Sequence, residues 1–158
     1  MMTVAGMARL RKSDGLVRMA DERELRFLKS CRVAHLATAD ARGAPHVVPV
    51  CFVISGGTLY ITIDEKPKRQ PTAGMKRLRN IGKNPAVCVI ADRYDEDWTR
   101  LGWVMLRGHA EILAEGAEHD AAQAMLRRRY RQLDSMKIES CPVIAVRIDR
   151  TTSWGNLD

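Results

Sequence analysis

Residues 33–64, VAHLATADARGAPHVVPVCFVISGGTLYITID, decide the fold and read as three consecutive β-strands joined by tight turns. The first, 33–38, is short and apolar and runs into Ala39-Asp40-Ala41-Arg42-Gly43, whose Asp and Gly suit a turn. The second, 46–54, is rich in β-branched residues, and Ser55-Gly56-Gly57 reverses the chain because Gly reaches positive φ without steric conflict. The third covers 58–64. Both later strands are apolar on nearly every residue, which suits strands covered on both faces, as in a closed barrel. Pro49 stands out, because a residue without an N–H belongs at an edge, at a bulge or where a ligand meets the backbone. An ordinary edge position is the commoner of these.

Beyond the third strand the chain turns basic. Glu65-Lys66-Pro67-Lys68-Arg69-Gln70-Pro71 is a proline-punctuated loop, and Lys76-Arg77-Leu78-Arg79-Asn80-Ile81 is a short helix ending before Asn84-Pro85. Cations thus gather where a strand ends. Lys offers point charges and Arg a bidentate fork, so the cluster is able to hold a phosphate. A solvated face is the more frequent fate of a charge run.

The length of 158 residues and 46% hydrophobic content predict one domain with one core, over 21–155, after a polar leader at 1–20 that is expected to be poorly ordered. No apolar run approaches membrane-spanning length and the first 15 residues lack a signal-peptide pattern, so a cytoplasmic protein is expected. Cys31, Cys51, Cys88 and Cys141 are widely spaced, which indicates neither a disulfide framework nor a zinc site. Cys51 and Cys88 lie in apolar runs and are expected in the core. With 26 basic against 19 acidic residues, the net charge of +7 favours an anionic partner.

The first helix is predicted over 21–30, with Asp21 and Glu24 as a capping box and Leu25 and Leu28 as its apolar stripe, covering one end of the barrel. A strand at 86–91 is followed by the polar connection 92–100 and by the longest strand, 101–113, in which Gly102 and Gly108 mark bends or bulges. A second long helix covers 117–133, and its Arg127, Arg128, Arg129 and Arg131 complement the helix dipole, an explanation preferred to a nucleic-acid surface. A last strand at 143–148 precedes the tail 151–155.

Protein-borne catalytic machinery is absent from the sequence. None of His35, His46, His109 and His119 falls in a nucleophile motif or a metal-ligand spacing, and no G-x-G-x-x-G occurs. No catalytic or metal-binding residue is therefore named. Three Trp, three Tyr and two Phe, none interleaved with the basic loop, argue against nucleic acid.

The succession HLATADARGAPHVVPVCFVI, LYITIDEKPKR, LRNIGKNPAVCVIADRY, GWVMLRGHAEIL and RTTSWG resembles the pyridoxamine 5'-phosphate oxidase-like flavin and deazaflavin oxidoreductases, most nearly their deazaflavin-dependent actinobacterial branch. The resemblance implies a mainly β fold, a six- to seven-stranded antiparallel split β-barrel with flanking helices of the FMN-binding type. It implies a homodimer with the cofactor at the interface; the lack of an apolar span implies no membrane partner. The ring would run near His46, Val48, Pro49, Val50 and Thr62, and the phosphate would meet Lys66, Lys68, Arg69, Lys76 and Arg77. Trp103 is a candidate to stack on the ring from the neighbouring subunit, with a core or interface role as the alternative; Trp154 is a candidate contact from the tail, with simple docking as the alternative. The family's FMN-dependent oxidases carry an Arg early and a Lys late in the second strand, where this chain has His46 and Cys51. That difference favours coenzyme F-420 over FMN, and hydride transfer to or from a small conjugated substrate. The alternatives are an FMN-binding oxidase-like protein and a non-catalytic flavin or haem carrier.

Overall fold

The computed structural model describes residues 19–63 and 75–158. Apart from residues 19 and 20, the expected leader lies outside these residues. The chain opens with α1 (Glu22–Ser30), whose capping box is complete: the Asp21 carboxylate accepts from the Glu24 N–H, and the Glu24 carboxylate accepts from the Asp21 N–H, each at 2.9 Å. Of its apolar residues it buries Leu28, as expected, with Phe27, while Leu25 is half-buried.

Seven strands complete the sheet: β1 (Ala34–Ala39), β2 (Pro45–Val50), β3 (Val53–Ser55), β4 (Thr58–Thr62), β5 (Ala86–Arg93), β6 (Gly102–Leu113) and β7 (Val143–Gly155). Helix α2 (Lys76–Lys83) precedes β5, and α3 (Ala117–Arg129) separates β6 from β7. All pairings are antiparallel in one sheet of order β2-β1-β5-β6-β7-β4-β3. β2 and β3, neighbours in the chain, form its two edges. Three residue steps from Val50 to Val53 span at most about 11 Å, so the sheet must coil until its edges nearly meet there. The result is a seven-stranded split barrel that is not closed.

The run 46–54, expected as one strand, is therefore two, broken at Cys51–Phe52 where the chain leaves one edge for the other. The expectation that this run is covered on both faces fails for β2: Pro45, Val47 and Pro49 are exposed, His46 and Val48 half-buried, and only Val50 is buried. β4 meets it, with every residue buried. Cys51 is exposed at the corner and Cys88 half-buried, so neither is the fully buried core residue expected. Gly56 and Gly57, with φ of 55° and 78°, make the two-residue turn from β3 to β4.

Segment 151–155, expected as a tail, is the second half of β7 and pairs with β6 as far as Gly102↔Gly155. A bulge between Arg107 and Gly108 lets these two long strands bend, as the glycine predicted. A Cβ at Gly108 would stand 1.8 Å from the Arg147 carbonyl oxygen, so only glycine permits this approach.

The main core fills the inside of the coil, with Leu36, Phe52, Leu59, Ile61, Val89, Val104 and Leu106 meeting Phe27 and Leu28 of α1 and Leu78 and Ile81 of α2. A second cluster lies under α3, where Ala122, Leu126 and Tyr130 pack on Tyr60, Val143 and Ala145. Among the described residues no helix is long and apolar enough to cross a membrane.

Candidate functional site

β2 pairs with β1 alone, so its other edge carries no strand among the described residues. One end of this free-edged strand meets α2. His46 sits opposite Thr38 in the β1–β2 register, Asn80 Nδ2 donates to Thr38 Oγ1 at 3.0 Å, and the Lys76 ammonium stands 3.7 Å from the Asp40 carboxylate. Hydrogen bonds from the backbone N–H groups of Ala44 and Arg42, with a smaller contribution from Lys76, hold the Asp40 carboxyl below the usual carboxylate range.

The start of α2 is built against its own dipole. The Met75 side chain makes no capping hydrogen bond to the helix and the first turn has no acidic residue, yet Lys76 and Arg77 open the helix. Helix N-termini attract anions and disfavour cations, so a cation-bearing start with no acidic residue is complementary to a bound phosphate. Nearby, His46 Nδ1 is buried with no hydrogen-bond partner among the described residues, which fits a ligand carrying polar ring atoms.

The other residues singled out in the sequence fall in several parts of the fold. Val48 and Val50 pack inward with the main core. Pro49 faces outward opposite His35 in an unbroken register, an edge position and not a bulge. Thr62 is buried on β4, next to the opposite edge strand, with Oγ1 3.5 Å from the Ile63 carbonyl oxygen. Trp103 and Trp154 face each other across β6 and β7, half-buried, in one row with Asp92 of β5. By register, this outer face also carries Val47, Pro49, His35, Ile90 and Met105. Lys66, Lys68 and Arg69 lie outside the described residues. The fold thus groups His46 with the α2 cations and Trp103 with Trp154, while Thr62 belongs to another part of the sheet.

No sequence signal marks the groups that fix the end of β2. Tyr130, at the end of α3, puts its hydroxyl on the break between β2 and β3: it accepts from the Phe52 N–H at 3.0 Å, and the carbonyl oxygens of Phe52 and Arg32 lie within 2.9 and 3.0 Å of it. Arg129 Nε donates to the same hydroxyl at 3.1 Å, and its Nη2 donates to the carbonyls of Leu28, Lys29 and Cys31 at the end of α1. The arginines read as dipole partners include one that ties α1, α3 and the strand break together.

On the far side of the sheet a second network is ionic. Arg147 of β7 donates from Nη2 to Glu111 at 2.7 Å and to Glu118 at 3.0 Å, and Tyr60 Oη donates to Glu118 at 2.7 Å. These bonds, from Arg147 first and Tyr60 second, hold the Glu118 carboxyl down at about 2. His119 is buried, with Nδ1 2.9 Å from an Asp120 carboxylate oxygen and Nε2 2.9 Å from the Cys141 carbonyl oxygen. Burial alone would lower its pKa, but these two acceptors outweigh burial and raise it. Among the described residues no group of His, Cys, Asp or Glu is arranged to hold a metal ion.

Known proteins share this architecture. A reductase of Streptomyces rimosus acting on 5a,11a-dehydrotetracycline and 5a,11a-dehydrooxytetracycline is 29% identical over 126 residues, which cover 75% of this chain and 83% of that protein. A conserved hypothetical protein of Mycobacterium tuberculosis superposes with a TM-score of 0.71 at 20% identity, over 91% of this chain and 89% of that one. A heme binding protein of Mycobacterium smegmatis superposes with a TM-score of 0.69 at 22% identity, over 85% of this chain and 53% of that one. The family model described as pyridoxamine 5'-phosphate oxidase matches residues 20–155, and the chain belongs to that family.

Proposed function

We propose that this protein is an oxidoreductase that holds the deazaflavin coenzyme F-420 along the free edge of β2, between two copies of the chain, and moves a hydride to or from a small conjugated substrate. The observation that carries this proposal is the α2 start, where Lys76 and Arg77 open a helix whose first turn has no acidic residue, beside His46 Nδ1, which has no hydrogen-bond partner among the described residues. Lys76 and Arg77, with Lys66, Lys68 and Arg69, receive the phosphate; His46 and the backbone around Val48, Pro49 and Val50 orient the ring. The hydride chemistry resides in the deazaflavin ring, so the chain needs only to bind, position and exclude water.

Two further features support it. The S. rimosus relative is a reductase. The outer face presents Val47, 59% exposed, with half-buried Ile90, Trp103, Met105 and Trp154, an apolar surface suited to a second copy. The tryptophan pair of one protomer would then cover the ring held by its partner. His46 and Cys51, in place of the family's strand cations, favour F-420 over FMN.

Fluorescence-quenching titration of the purified protein with F-420 and, separately, with FMN tests this. Micromolar F-420 binding is expected, weaker FMN binding, and a loss of at least about 100-fold in F-420 affinity for the K76A/R77A double variant, given roughly 1.5–3 kcal/mol for each of two charge-assisted hydrogen bonds. A preference for FMN would reassign the cofactor. Binding of neither, with a shifted Soret band on adding haem, would favour a carrier, and a monomer on gel filtration at micromolar concentration would remove the dimer.

A further inference from the structure

A cavity of about 360 Å³ opens on the flank formed by α1, β3 and α3, lined by Lys29, Val53, Ile54, Met125, Arg128 and Arg129. It shares no residue with the β2 edge, the α2 start or the outer face, so a role for this cavity is independent of the proposed cofactor site. Its floor is apolar. Val53 and Met125 pack against the cluster under α3, and Ile54 packs against the main core. Its rim is wholly cationic, since none of the lining residues is acidic.

Arg129 is the fixed member of that rim. Nε and Nη2 are held by Tyr130 Oη and three backbone carbonyls, and the guanidinium lies 4.9 Å from the centroid of the Phe52 ring. These partners orient the charge without neutralising it, because none is a carboxylate. Nη1 has no acceptor among the described residues, which leaves two N–H donors of a pre-set fork unused. Lys29 and Arg128 are exposed and bond to no carboxylate among the described residues. Arg127, one residue earlier, shows the contrast: it is engaged by Glu139 and by the carbonyls of Leu133 and Met136. Attraction to the helix dipole accounts for the sign of these charges but not for their convergence on an apolar hollow.

We infer that this cavity is a binding site for a small amphipathic carboxylate, whose hydrocarbon body rests on Val53, Ile54 and Met125 and whose carboxylate meets Arg129 Nη1, Arg128 and Lys29. The apolar floor selects such a ligand over a bare anion. The cations select it over a neutral one.

Isothermal titration of the full chain with octanoate, 1-octanol and inorganic phosphate at one ionic strength tests the site. Octanoate is expected to bind saturably with a Kd of about 1 mM or tighter. The other two should bind at least about tenfold more weakly, since each lacks one half of the recognition. The K29E/R128E variant, altered at exposed positions only, should keep its melting temperature and lose at least about tenfold in octanoate affinity. Equal binding of 1-octanol, equal binding of phosphate, no saturable octanoate binding, or an unchanged double variant would each overturn the assignment.

Discussion

Replacing Tyr130 with Phe removes a single oxygen from the place where β2 hands the chain to β3. The ring remains, so its packing in the cluster under α3 and its contact with the Arg32 guanidinium, 4.7 Å from the ring centroid, are kept. The losses are the acceptor for the Phe52 N–H and the donor to one of the two carbonyls within reach. Phe52 is fully buried, so no water replaces the hydroxyl. An unsatisfied buried N–H costs about 1–3 kcal/mol and the lost O–H bond roughly 1 more. Arg129 Nε keeps its Nη2 anchors on α1 and adds little. The expected loss is about 2–4 kcal/mol in urea unfolding at unchanged m-value, or roughly 4–16 °C in melting temperature for a chain of this size. Tyr94→Phe is the control, because Tyr94 is 66% exposed and should change stability by less than about 0.5 kcal/mol. A Tyr130→Phe loss no larger than that of Tyr94→Phe would refute the claim that this hydroxyl fastens the strand break.

Two pH effects run in opposite directions. Glu118, held at about 2 against an ordinary 4.5, contributes stability that is fully present above pH 4.5 and lost as the pH falls toward 2. Its side chain is 42% exposed, so solvent limits the effect to about 1 kcal/mol or less, and Glu118→Gln should flatten the acid limb of a melting-temperature profile measured between pH 5 and 2. His119, with its pKa raised in the fold, contributes stability that is present below about pH 6.5 and lost as the pH climbs through the raised value. The wild type should therefore soften as the pH climbs above about 6.5 while His119→Gln shows no such slope, as read by differential scanning calorimetry.

Local chemistry was enough to place most elements from the sequence. Asp21 and Glu24 announce α1 because a capping box works within three residues, and Gly56-Gly57 announces a hairpin because two consecutive positive φ angles require it. The basic start of α2 is also visible in order along the chain, and so is the family to which the chain belongs. Tertiary structure alone decided the rest. The run 46–54 has no breaker at Cys51–Phe52, and its division into two sheet edges follows from the coiling of a seven-stranded sheet. The tail 151–155 became strand because β6 offered it a partner across the bulge at Gly108. The clasp at the β2–β3 break joins Phe52 to a hydroxyl 78 residues away, and Arg147 reaches Glu118 over 29 residues. Such pairs have no spacing for a sequence to reveal, since they exist only once the sheet has brought distant segments into contact.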